Sequence, residues 1–402
     1  MNKILTLIPA LLLLCVSSAH AQYNCNDNRF LEEVFSNVEK SADLSYGSAV
    51  TVTSTTQNLT MDVYEPVGDT MQARPLIIWA HGGSFVFGNK ESSDIVTLCN
   101  KYSRQGYVTA SINYRLGFGG IFPTATSAIK TVYRATADMR AAVRYFYKDA
   151  STSNQFKIDT NNIFVAGVSA GAFIALHLAY LDQESEIPPE VDPVEFGGIE
   201  GNSGNPGYSS KVKAIVNLCG ALGDTAWIAN NDIPCLSMHG TNDDVVPYGT
   251  AVINVFGISL FEVDGSASVA RRQNNTGTEH IFVTWPGAIH TPFISSEAYM
   301  DSVFMAVTPF LANKLGCDVP LNTETVRPTE NLVVYPNPAS SVLRFDNEGN
   351  LPVQVRMYDA SGRIALKAMS NGYIDLSGLE RGLYILQIQG ERRIKTARVI
   401  LN

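Results

Sequence analysis

The chain has 402 residues, 45% of them apolar and 17% charged, and a formal net charge of −9. That is enough apolar material for a sizeable core and for more than one domain, and it excludes a globally disordered chain. An acidic chain without a basic run is poorly suited to nucleic acid and gains little from an anionic membrane surface.

The first residues read as an export signal, residues 1–21. Lys3 supplies a positive charge, residues 4–16 are almost wholly apolar but short for a bilayer span, and Ala19-His20-Ala21 offers small residues for cleavage before Gln22. Cys15 follows Leu14, where lipoprotein processing needs a small residue. No later stretch reads as a transmembrane segment, so a soluble, exported protein is expected. Five cysteines then remain, Cys25, Cys99, Cys219, Cys235 and Cys317, in an oxidising setting. Five allows at most two bridges. Cys219 and Cys235 end one predicted strand and begin the next, which makes them a candidate pair; Cys25 with Cys99 or Cys317 comes second.

From there strand-like and helix-like segments alternate. Residues 59–64 alternate apolar and polar, as a half-exposed strand does. Residues 76–80, 107–112, 163–166, 214–218, 234–238 and 281–284 read as strands, most of them short buried runs. Helical patterns cover 93–105, 125–146, 172–181 and 301–315. The alternation predicts a mainly parallel sheet with helices on both faces, an α/β fold, over residues 22–317. Two segments interrupt it. Residues 182–210, rich in Glu, Pro and Gly, read as a long loop or small lid. Residues 249–277 are mixed, with a helix over 266–273. Both are expected to shape substrate choice, because loops at the carboxyl side of a parallel sheet surround the ligand site.

A polar stretch, residues 318–330, reads as a linker. Beyond it, residues 332–335, 342–345, 353–358, 363–368, 372–376, 382–389 and 395–401 alternate as short strands. Turn residues such as Pro336-Asn337-Pro338, Ser361-Gly362 and Glu391-Arg392 lie between them. A small all-β sandwich is expected over residues 331–402.

Four motifs follow predicted strands in order: His81-Gly82-Gly83-Ser84-Phe85, Gly167-Val168-Ser169-Ala170-Gly171, His239-Gly240-Thr241-Asn242-Asp243 and Gly287-Ala288-Ile289-His290. Ser169 sits between a buried strand and a helix-forming run. A tight turn there lifts the hydroxyl to the sheet's carboxyl edge, and the helix N-terminus favours developing negative charge. A hydroxyl needs a base within reach. Of six histidines, His20 leaves with the signal, His177 lies two turns into the next helix, His81 belongs to the Gly-Gly motif and His239 ends a strand. His280 precedes the last strand, whereas His290 follows it and emerges at the same edge as Ser169; His290 is the expected base. An acid must orient it, and spacing leaves Asp243 and Asp244 both open. The amides of Gly83, Ser84 and Ala170 are expected to hold an oxyanion, with Asn113-Tyr114-Arg115 bracing that loop. Phe85, Trp227 and Tyr248 are candidate substrate-binding residues. No His/Cys/Asp cluster has metal-ligand spacing, so no cofactor is expected.

The four motifs resemble the α/β-hydrolase superfamily, in particular carboxylesterases and lipases with a His-Gly-Gly-x oxyanion loop, over residues 59–315. The resemblance selects Asp243 as the acid, the fifth residue of a His-Gly-x-x-Asp loop. Ser84 stands where the commoner loop has a third glycine, which narrows the acyl site or makes it more polar. In the tail, Val334-Tyr335-Pro336-Asn337-Pro338, Tyr358-Asp359-Ala360-Ser361-Gly362-Arg363, Leu376-Ser377-Gly378-Leu379 and Gly382-Leu383-Tyr384 resemble the C-terminal sorting domain of the type IX secretion system of Bacteroidota. That implies a partner in the secretion machinery, passage across the outer membrane, and release or surface attachment with loss of the tail. The expected function is a secreted serine esterase working through an acyl-enzyme. Its substrate would be a small or polymeric ester: an acetylated or feruloylated polysaccharide, or a short-chain acyl ester. A lipase or polyester depolymerase is the alternative, and a non-catalytic binding protein on a hydrolase fold is the rival from another class.

Overall fold

The computed structural model describes Tyr23, Cys25 and residues 27–317, 330–346, 353–359, 363–389 and 394–402. The expected signal, most of the linker and the tail turns at 361–362 and 391–392 lie outside the described residues. The chain divides into two compact units, Met1–Leu321 and Asn322–Asn402.

In the first unit the strands are β1 (Val38–Val50), β2 (Thr56–Pro66), β3 (Arg74–Ala80), β4 (Val108–Ile112), β5 (Ile158–Val168), β6 (Ala214–Leu218), β7 (Ala221–Leu222), β8 (Cys235–Gly240), β9 (Thr250–Val255), β10 (Ile258–Gly265) and β11 (His280–Trp285). The helices are α1 (Ser93–Arg104), α2 (Ala125–Ser151), α3 (Ala170–Tyr180), the single turn α4 (Pro193–Phe196), α5 (Ser266–Thr276) and α6 (Glu297–Lys314). Eight strands form one sheet in the order β1-β2-β4-β3-β5-β6-β8-β11. β1–β2 and β2–β4 pair antiparallel, and every later neighbour is parallel. This is the α/β-hydrolase arrangement. The short apolar runs occupy its buried centre: every residue of β3, β4 and β6 is buried. One core cluster lies on each face of the sheet, with Ile78 and Val165 in one, and Ile77 and Phe164 in the other. The side chains alternate between faces as strand geometry requires.

β1 carries no legible period. Its pairing with β2 slips twice, between Ser41/Leu44 and Ser45/Gly47, and Asp43 takes a positive φ. Bulges break the alternation that marks a strand in sequence. Residues 250–265, read as mixed, form the antiparallel hairpin β9–β10, which joins β7 in a second sheet.

The Cys219–Cys235 pairing is not formed; both thiols are free and buried, and the disulfide joins Cys25 to Cys317. The parallel register explains this. Ile215 sits opposite Cys235 and Leu218 opposite Met238, so Cys219, just past the end of β6, lies about four residues along the sheet from Cys235. Four residues of strand span roughly 13 Å, beyond any disulfide. The end of one parallel strand and the start of its neighbour stand at opposite edges.

The second unit contains β12 (Glu330–Asn331), β13 (Val334–Tyr335), β14 (Val342–Phe345), β15 (Val353–Tyr358), β16 (Ile364–Ser370), β17 (Tyr373–Asp375), β18 (Gly382–Gln389) and β19 (Ile394–Leu401). They make a five-stranded sheet, β12-β19-β18-β15-β16, and a three-stranded one, β13-β14-β17. Leu343, Phe345 and Ile374 of the smaller sheet share one core with Val355, Met357, Leu386 and Val399 of the larger, so the two sheets pack face to face.

Candidate active site

The site lies at the carboxyl edge of the parallel strands. Ser169 links β5 to α3 with φ 53° and ψ −115°, a strained conformation that costs on the order of 1–3 kcal/mol and persists only where packing over-determines it. Here the packing comes from absent side chains. A β-carbon at Gly167 would stand 2.0 Å from the Gly171 carbonyl oxygen, and one at Gly171 would stand 2.1 Å from that of Ala80. α3 then runs straight into the core with all its residues buried, so the turn cannot relax outward.

His290 Nε2 is 2.8 Å from Ser169 Oγ, and His290 Nδ1 is 2.7 Å from Asp243 Oδ2. The carboxylate only accepts, so Nδ1–H donates to Asp243 and Nε2 is left to accept from the serine hydroxyl. Asp243, on the loop after β8, has a fully buried side chain. Its Oδ1 accepts from the amides of Val245 (2.9 Å) and Val246 (2.8 Å). Burial pushes its carboxyl up. Hydrogen bonds from His239 and His290, the charge on His290 and the Val246 amide outweigh burial and hold the carboxyl well below the usual carboxylate range. Asp244, its exposed neighbour, makes no such approach.

A second histidine reaches the same carboxylate. His239 Nε2 lies 3.1 Å from Asp243 Oδ2, and both side chains are fully buried. His239 Nδ1 is 2.7 Å from Ser266 Oγ, which also receives Asn217 Nδ2 at 2.9 Å. Ser266 thus donates to Nδ1, and Nε2–H faces Asp243. The chain of bonds from Asn217 to Ser169 joins β6, α5 and β8 to the connections that follow β5, β8 and β11. Ser266 and Asn217 carry no local signal in the sequence. His280, the rejected alternative base, lies at the start of β11 and bonds Thr278 O.

The loop after β3 abuts the serine. A β-carbon at Gly82 would stand 3.4 Å from Ser169 Cβ. Gly83, Ser84 and Phe85 all take positive φ, and among the described residues the amides of Gly83 and Ser84 have no internal acceptor. Tyr114 braces the loop: its hydroxyl donates to His81 O at 2.9 Å, and its ring stacks on His81 at 4.4 Å. Burial drives the His81 imidazole down to about 4 against the opposing bond to Gly82 O, keeping it neutral.

Ser84, Phe85, Ser169 and Ala170 line one cavity of about 320 Å³. Its remaining wall is apolar but for Asn254: Phe118, Ala128 and Val132, Phe173 on α3, Val245 and Val246, and the hairpin residues Ile253, Val255, Phe256, Leu260 and Phe261. The hairpin belongs to the segment 249–277, expected to shape substrate choice; Phe173 escaped the sequence reading because it is an ordinary apolar residue until the fold sets it against Ser169. Trp227 lines a neighbouring cavity instead, beside His177. The chain turns back through β7 and carries Trp227 behind α3. Tyr248 lines neither cavity. Its hydroxyl shares a hydrogen bond with Thr284 on β11, and its ring packs on His239 and Phe282.

The segment 182–210 roofs that neighbouring cavity with Ser185 to Pro189 and Ile199. Buried polar groups of α2 pin it. Ser203 Oγ donates to Asp138 Oδ1 at 2.6 Å, Arg144 donates to the carbonyls of Glu200 and Gly204, and Arg115 Nη2 donates to Asp138 at 2.7 Å.

One group of side chains among the described residues could hold a metal ion: Cys219, Asp243 and His290 have ligand atoms within 4.8 Å of one another. Asp243 and His290 are already bonded to each other, and burial pushes the Cys219 thiol up to about 12, so it stays protonated and a poor ligand.

Residues 61–225 match the BD-FAE family and residues 333–402 match the family described as secretion system C-terminal sorting domain. Gut esterase 1 of Caenorhabditis elegans is 31% identical over 114 residues, 28% of this chain and 19% of that protein. Probable carboxylesterase 2 of Arabidopsis thaliana is 30% identical over 130 residues, 32% of this chain and 38% of that protein. The matches thus span about a fifth to two fifths of those curated relatives. Among solved structures, esterase 2 of Thermogutta terrifontis phosphorylated by paraoxon is 18% identical, with a TM-score of 0.49, covering 71% of this chain and 97% of that one. The sorting tail points to export, to the cell surface or beyond it. No helix of the described residues is long and apolar enough to cross a membrane.

Proposed function

We propose that the chain is an exported serine esterase in which Ser169 is the nucleophile, His290 the general base and acid, Asp243 its orienting carboxylate, and the amides of Gly83, Ser84 and Ala170 the oxyanion donors. The observation that carries this reading is the line Asp243–His290–Ser169, bonded at 2.7 and 2.8 Å, at the head of a largely apolar cavity. In this reading Ser169 Oγ attacks the ester carbonyl carbon while its proton passes to His290 Nε2. The tetrahedral oxyanion faces the three amides, and each such donor is typically worth about 3 kcal/mol. The carbon–oxygen bond to the alcohol then breaks as His290 returns the proton to that oxygen. Water attacks the acyl-enzyme and gives its proton to His290; the bond to Oγ then breaks as His290 passes that proton to Oγ, releasing the acid and restoring the serine hydroxyl.

The cavity assigns the two halves of the substrate. The leaving oxygen must reach His290, and His290 does not line the cavity. The acyl group therefore enters the cavity, and the alcohol departs past His290, whose side chain is 15% exposed. An apolar, short or flat acyl group fits the phenyl-rich wall, and the alcohol can be bulky, as in an acylated polysaccharide. A panel of acetyl, butyryl and feruloyl esters, free and on polysaccharide, tests this. Turnover that survives Ser169→Ala would overturn it.

A further inference from the structure

The cavity at Ser169 and the one behind it, of about 410 Å³, share three wall residues: Val132, Phe173 and Phe261. Their order along α3 is regular. Ser169 and Ala170 line the first cavity, Phe173 lines both, and His177 and Leu181 line the second. Positions four apart stand one above another on a single helix face. The second cavity thus continues the first along the groove between α2 and α3, for about 12 Å at 1.5 Å per residue from Phe173 to Leu181.

We propose that these are two segments of one acyl channel and that Phe173 is the partition that limits acyl length; the distal segment is a site for the aliphatic tail of a longer acyl group. The inference rests on the esterase reading above.

The chemistry of the distal walls fits an aliphatic tail. Trp227, Tyr133, Ile129 and Ile187 supply apolar surface. His177 is the polar group nearest the partition. Its Nδ1–H donates to Phe173 O at 2.8 Å, and burial drives the ring down to about 4, so the ring stacked on the partition is neutral; the lining also includes Glu186, Asp224 and Glu262. Arg140 turns its guanidinium to the carbonyls of Leu178 and Leu181 at the end of α3. Phe173 itself is held edge-on to Phe85 and stacked on His177, which keeps the ring across the channel.

The test compares p-nitrophenyl esters from acetate to dodecanoate on the full chain. In Phe173→Ala and the milder Phe173→Leu, the ratio of kcat/KM for decanoate over acetate should rise at least tenfold, through a lower KM for decanoate. Adding Ile129→Trp, which fills the distal segment, should cancel the rise. A flat ratio in both variants, or a rise that Ile129→Trp leaves intact, overturns the proposal. A binding readout separates this from failure of the esterase reading. With Ser169→Ala and Phe173→Ala combined, decanoate should quench the fluorescence of Trp227, and Trp227→Phe should remove that signal. Quenching without any wild-type ester turnover would sink the esterase reading and keep the channel. Turnover without quenching would do the reverse.

Discussion

Between Gly167 and Gly171 the backbone passes within van der Waals contact of β3, and the helix that follows is buried on every side. Across the cavity from it, the hairpin β9–β10 is largely exposed or half-buried, with Phe256 at 57% exposure. The two walls of one cavity are thus built on different principles. The serine wall is rigid because two missing β-carbons and an apolar helix leave a single solution. The hairpin wall contributes mostly apolar contact surface and belongs to a small second sheet. In the proposed reading the chemistry sits on the first wall, which also carries the acyl-length partition Phe173, and the second adds contact surface for the acyl group. Changes at the triad should move kcat, and changes on the hairpin KM.

The largest effects are expected on the rigid side. Ser169→Ala, His290→Ala and Asp243→Asn should each lower kcat/KM by about four orders of magnitude or more with folding retained. His280→Ala and Asp244→Asn should stay close to wild type. A p-nitrophenyl butyrate assay with circular dichroism checks both sets, and a large loss in His280→Ala would break the comparison. Next in size is a purely structural effect. Cys25 and Cys317 are 292 residues apart in sequence, so replacing both by serine should lower unfolding stability by roughly 2–5 kcal/mol in a denaturant titration. Turnover by the folded fraction should not change, because neither cysteine touches the cavity.

Acid should reveal the buried histidines. His81 and His177 both sit near 4 when folded, against about 6.5 in an unfolded chain. Between those values the unfolded chain binds protons that the folded chain refuses, so stability falls as pH drops from about 6.5 to about 4. The total is on the order of a few kcal/mol. Asp243 has the same sign in a lower window: its depressed carboxyl contributes stability that is complete above about pH 4 and is lost only below it. His177→Leu should flatten the fall in melting temperature between pH 7 and pH 4.5; an unchanged slope would mean that His177 is not held neutral. Smaller again, Ile253→Ala or Phe256→Ala on the hairpin should raise KM up to about tenfold and leave kcat nearly unchanged. The smallest expected effect belongs to the tail. A chain ending at Asp318 should keep kcat/KM within about twofold.

Legibility divides along the same line. The strand before Ser169, the helix after it and the two glycines are contiguous, and period and spacing suffice to read them. Asp243 and His290 each follow a strand-like run, so their shared edge can be inferred, although Asp243 and Asp244 are indistinguishable by spacing alone. β1 is illegible because its bulges erase the alternation. Tyr114 is legible as a brace of the loop after β3, whereas Ser266 and Asn217 are illegible because their roles exist only where separate segments of the fold meet. The candidate pair Cys219–Cys235 shows the cost of reading adjacency along the chain as adjacency in space, since parallel strands put consecutive ends at opposite edges.

By itself the sequence determined the fold class, the order of the four motifs and the conformation demanded of Ser169. Each depends on local physics: burial periodicity, glycine at close approaches, a helix starting at a turn. Only the tertiary structure decided which carboxylate faces His290, that His239 shares it, which cysteines join, and that Phe173 divides two cavities along α3. Those are contacts between residues distant in sequence, and no local pattern encodes the register that brings them together.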